Sequence, residues 1–72
     1  MRRERDLRFQ GDIIAVWWRK HDGMELCYLR HGTLRFRHGP EGDLLPGEQK
    51  IDFSDAAIYA YEHGFQRRQR VY

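Results

Sequence analysis

Two copies of one tripeptide stand close together in this 72-residue chain, Arg30-His31-Gly32 and Arg37-His38-Gly39. Arginine beside histidine suits phosphoryl chemistry: a guanidinium grips phosphate bidentately, and an imidazole attacks or carries a proton. His21, His63 and the single Cys27 are the other nitrogen and sulfur groups able to ligate a metal or act as nucleophiles. Whether any of them does chemistry depends on spacing and on the framework that would hold it.

The word CYLRHGT, residues 27–33, resembles the opening of the catalytic centre in the histidine phosphatases, and that resemblance implies His31 as nucleophile. That family holds its histidine at the carboxyl end of a parallel strand, inside a much larger α/β domain. It also draws a second histidine and further arginines from distant segments. This chain has neither the length nor alternating β and α units, and TLRF after Gly32 departs from the family's polar continuation. The histidines and Cys27 lack zinc-type spacing, so no metal and no cofactor is expected. The ending FQRRQRVY, residues 65–72, resembles the last strand of the RelE/ParE-type toxins and implies RNA cleavage without a metal. That family opens with a helical hairpin, whereas this chain opens with strand-like segments. A small metal-independent ribonuclease is thus the enzymatic alternative, and a non-catalytic role is the expectation.

Charge is dense but nearly balanced, with 13 basic and 11 acidic residues. All the basic residues but Lys20 and Lys50 are arginines, the better type for bidentate contacts and for stacking on rings. One cysteine permits no internal disulfide and suits a reducing compartment. The apolar run IIAVWW is too short for a signal peptide or a membrane span, so a cytoplasmic protein without membrane contact is expected.

The residues that would position these groups read as one domain, 1–72, of the α+β class. Strand-like runs alternate with the turn pairs Gly11-Asp12, Asp22-Gly23 and His31-Gly32, predicting an antiparallel meander of about four strands over residues 6–38. Residues 39–50 hold both prolines and read as an exposed connection. A helix is predicted over 54–63, with Ser54 as N-cap, Gly64 after its end, and a Phe53–Ile58 staple. A C-terminal edge strand follows.

Two-residue turns at those pairs would sort the side chains onto two faces. One would collect Leu7, Phe9, Ile14, Val16, Trp18, Cys27, Leu29, Leu34 and Phe36, covered by the helix through Ala57, Ile58 and Tyr61. The opposite face would carry Arg8, Trp17, Arg19, Tyr28, Arg30, Arg35 and Arg37, with Trp17, Tyr28 and Arg35 in one cross-strand row. Aromatics beside arginines serve both single-stranded nucleic-acid platforms and protein interface cores. The expected function is therefore non-catalytic binding through these residues together with Arg67, Arg68 and Arg70 of the last strand. The expected partner is a protein or nucleoprotein complex with an acidic or polyanionic surface. A single-stranded nucleic acid is the alternative, and a homodimer could hide the aromatic patch. In size, arginine content and want of a catalytic motif the chain resembles the small inhibitors of phages and mobile elements, the anti-CRISPR type among them.

Overall fold

The computed structural model describes residues 12–68. The strand expected at residues 6–10, Arg8 and Arg70 lie outside them. Within them the meander is real: β1 (Ile13–Trp18), β2 (Met24–Leu29) and β3 (Thr33–His38) are consecutive antiparallel strands. A short β4 (Gln49–Lys50) then pairs with the start of β3, within the stretch read as a connection. Helix α1 (Phe53–Glu62) follows, and β5 (Gln66–Arg67) returns to pair with β1. The sheet order is β4-β3-β2-β1-β5.

Turn length decides which side chains share a face, and here the expected register fails. The first hairpin closes through Arg19 N–H to the Met24 carbonyl (2.9 Å), so Lys20–Gly23 form a four-residue loop. That slides Val16 from Leu29 to Cys27, a shift of two that keeps residues 15–18 on their expected faces. An irregularity between Ile13 and Ala15 brings Ile13 to the side of Val16 and leaves Ile14 exposed. The second hairpin behaves differently. Leu29 pairs with Thr33, so Arg30, His31 and Gly32 form a three-residue loop. Gly32 donates to the Leu29 carbonyl (2.9 Å) and takes φ of 90°, a left-handed position that suits glycine after a tight turn. One residue more than expected turns β3 over relative to β2. Arg35 and Arg37 thereby join Cys27 and Glu25, while Leu34 and Phe36 join Tyr28 and Leu26.

The helix consequently covers the face that was expected to be open. Ala15, Trp17, Leu26, Tyr28 and Leu34 form one core with Ala56, Ala60 and Phe65. Small residues at Ala56 and Ala60, one turn apart, let the helix close on the sheet, and Trp17 supplies the bulk beneath. Full burial of a ring that size contributes about 4–6 kcal/mol. Phe53 completes the packing, its ring 5.7 Å from Trp17 and edge-on to Tyr28 at 5.4 Å. Tyr28 donates its hydroxyl to the Ile51 carbonyl (2.9 Å), so the buried phenol keeps a partner.

The helix ends differ in how well the sequence announces them. The N-cap is Asp52, not Ser54, and it makes no side-chain capping bond. Phe53 packs inward rather than onto Ile58, so the expected staple does not form. At the other end Gly64 takes φ of 85°, Phe65 N–H reaches the Ala60 carbonyl (2.9 Å), and Gly64 N–H reaches that of Tyr61 (3.3 Å). This is the Schellman closure, with Phe65 as its apolar anchor.

Candidate interaction surface

The residues singled out from sequence are not brought together on one open face. Trp17 is fully buried and Tyr28 nearly so, both under α1. Arg35 and Arg37 lie on the other side of the sheet, so the expected row of Trp17, Tyr28 and Arg35 does not exist. The sheet therefore offers no stacking platform made of that pair.

Most described arginines are held by groups of the chain itself. Arg19 grips Asp22 with Nε and Nη2 (3.2 and 3.0 Å) and donates Nη1 to the His63 carbonyl (2.8 Å). Its guanidinium also lies 4.3 Å from the centre of the Phe65 ring. Asp22 is held below its ordinary value of 3.8, first by the bond from Arg19. Arg35 donates to the Leu45 carbonyl (2.9 Å) and stands 3.8 Å from Glu48. Arg67 lies over the Trp17 and Phe53 rings at 5.6 and 5.8 Å, covering the core edge rather than projecting as a free basic strand. Arg30, two-thirds exposed and 4.0 Å from Asp12, is the most open of the paired ones.

The centre of the second face is an ion cluster. Glu25 lies opposite Arg37 in the β2–β3 register, and both are buried. Glu25 Oε1 accepts from Arg37 Nε and Nη2 (both 2.9 Å). Glu25 Oε2 accepts from Arg68 Nε and Nη2 (3.2 and 3.0 Å). Arg68 also spans the Trp18 ring at 5.7 Å, and its backbone N–H bonds the Val16 carbonyl (2.9 Å). Two guanidinium groups thus fasten β3 and the end of β5 to one carboxylate on β2. Nothing in the arginine-rich composition distinguished these structural arginines from exposed ones; the signal was Glu25, an acid inside a strand.

The chemical groups considered first are placed just as definitely. His31 sits in the second turn, its Nε2 2.9 Å from Thr33 Oγ1 and 3.9 Å from Glu48 Oε1. A relay of the Ser-His-Asp kind needs the acid on the other ring nitrogen, so this arrangement does not build one. Burial pushes the Cys27 thiol up to about 11, which keeps it protonated and unreactive at neutral pH. Among the described residues no group of three or more His, Cys, Asp or Glu side chains is placed to hold a metal. No helix there is long and apolar enough to cross a membrane.

Among the described residues the large apolar side chains that remain open are Ile14 on β1, expected in the core but 44% exposed, and a group on α1. Ile58 and Tyr61, expected to face the core, are 54% and 57% exposed, and Phe53 is 41% exposed. The reason is the register: the inward stripe is Phe53, Ala56 and Ala60, at intervals of three and four, which turns Ile58 outward. Asp55 and Glu62 precede and follow Ile58 by three and four residues, so they border it on the helix surface. They border Tyr59 too, four residues before it and three after. Tyr59 in turn forms a wall of an open cleft of about 300 Å³, with Leu34, Phe36, Pro46 and Glu48. The apolar outer face, the acidic ridge and the cleft are therefore continuous. No protein family, curated protein or solved structure matches the chain.

Proposed function

We propose that this chain is a non-catalytic binding module that engages a protein, alone or within a nucleoprotein assembly, through the outer face of α1. The observation carrying this reading is the exposure of Ile58 and Tyr61, three residues apart on the outward side of one short helix. Apolar side chains scattered singly over a surface need no explanation, whereas a group of large ones on one element marks an interaction site. Three further observations support it. Arg35, Arg37 and Arg68 are taken up by Glu48, Glu25 and a backbone carbonyl. The histidine turn lacks relay geometry. The aromatic residues needed to stack a single-stranded nucleic acid on the sheet lie under the helix.

A photo-crosslinking amino acid at position 58 tests this against the same group at Glu41, an exposed residue of the 39–48 loop. In extract of the source cell, position 58 should give one dominant protein adduct that excess unlabelled chain competes away. Position 41 should not give it. Identical adducts from both positions, or none from position 58, would overturn the reading.

A further inference from the structure

The charges around the outer face of α1 say more about what docks there. Between Phe53 and Glu62 the helix has no basic residue, and its exposed polar groups include Asp55 and Glu62. Neither carboxylate enters an ion pair among the described residues, in contrast to Asp22, Glu25 and Glu48. The chain carries an excess of positive charge, yet its open binding face is apolar and acidic.

Resting on the docking role proposed above, we infer that the partner presents a basic, apolar protein segment, which sets Lys or Arg against Asp55 and Glu62. Its apolar side chains would meet Ile58 and Tyr61 on one side of that ridge and enter the cleft beside Tyr59 on the other. This is the reverse of the acidic partner that the composition suggests, because among the described residues Arg19, Arg35, Arg37 and Arg68 are committed to carboxylates and carbonyls of the chain itself.

Two other occupants fit worse. A second copy of the chain, packed antiparallel about Ile58, would bring Asp55 of each copy towards Glu62 of the other, a like-charge contact that opposes association. A nucleic acid would meet the same two carboxylates with its phosphates.

The probe is a phage-displayed library of random linear peptides, panned against the immobilised full chain. Enriched sequences should combine Lys or Arg with Leu, Ile, Phe or Trp. As free peptides they should lose at least about tenfold in affinity for the Asp55→Lys/Glu62→Lys double variant, since reversal turns attraction into repulsion. They should also lose binding to Ile58→Asp, and keep it with Arg30→Glu on the far turn. All the substituted positions are exposed, and circular dichroism of each variant confirms the fold. Acidic enriched peptides, no enrichment, or indifference to the double reversal would overturn the inference. Indifference to the reversal with loss in Ile58→Asp leaves the docking role standing and removes only the basic partner. Indifference to both removes the docking role as well. A dimer in sedimentation that Ile58→Asp dissolves would replace the foreign partner with a second copy.

Discussion

Glu25→Gln is the substitution that asks most of this structure. It nearly preserves shape and hydrogen-bonding reach while removing the one charge that two guanidinium groups converge on, at N–O distances of 2.9–3.2 Å. Opposite charges about 4 Å apart at an effective dielectric of about 20 attract by about 4 kcal/mol. Arg37 is fully buried and feels that loss almost undiminished. Arg68, with 32% of its side chain exposed, is screened, and its share is about 1 kcal/mol or less. Removing one partner of a buried pair costs about 3–5 kcal/mol, close to the whole stability of a domain this small. Urea unfolding followed by tryptophan fluorescence should show Glu25→Gln largely unfolded or close to it, and Arg68→Ala weakened by about 1 kcal/mol. Glu25→Leu combined with Arg37→Met should recover most of the loss, because an apolar pair of similar volume escapes the desolvation cost of the ions. A Glu25→Gln protein within about 1 kcal/mol of the parent would refute the reasoning. So would a double variant no better than the single one.

Other outcomes follow from particular groups. Cys27 should resist iodoacetamide at neutral pH until the chain is unfolded. Because the folded state holds a proton that the unfolded thiol releases near 9.0, stability should be full below that pH. It should then fall as pH rises towards 11, by up to about 3 kcal/mol, and Cys27→Ala should flatten that limb in pH-dependent denaturation. Asp22 works in the opposite sense: its lowered pKa stabilises the fold above about 3.8 and is lost on further acidification, so Asp22→Asn should flatten the acid limb. Gly64→Ala meets nothing closer than Arg19 Cδ at 3.6 Å, so its cost is the left-handed backbone alone, about 1 kcal/mol, read as a lowered melting temperature. Single-stranded oligonucleotide at low salt should leave tryptophan fluorescence unchanged; strong quenching would return the nucleic-acid alternative.

The class of the fold was legible because turn pairs, strand-like runs and the Gly64 stop are local signals. Facing was not. It hung on whether the turn after Leu29 held two residues or three, and His31-Gly32 is a valid centre for the shorter version. The extra residue sent Trp17 and Tyr28 to the core with Leu34 and Phe36, and with them the binding face read from the sequence. The helix was misread for a related reason. Ala57, Ile58 and Tyr61 form an apolar stripe as convincing as Phe53, Ala56 and Ala60, and only the sheet beneath decides between them. The short β4 escaped notice because its two residues, Gln49 and Lys50, carry no pattern of their own. Glu25 was passed over because a lone acid in a strand reads as solvent-facing until its cross-strand neighbour is known.

The position of β5 also bears on how the protein is made. This last described strand lies against β1, the first, and Arg68 reaches Glu25 across 43 residues of chain. During synthesis the three-stranded meander emerges with Trp17 and Tyr28 uncovered and Glu25 lacking its second guanidinium. Neither deficit is repaired until α1 and β5 leave the ribosome. Contacts this distant in sequence form late and slowly, so completion of this part of the fold waits until Arg68 has been made. A product stopped before Arg67 should be cleared by proteolysis rather than accumulate as a partly working protein, which makes β5 a check that the message was read through to that point.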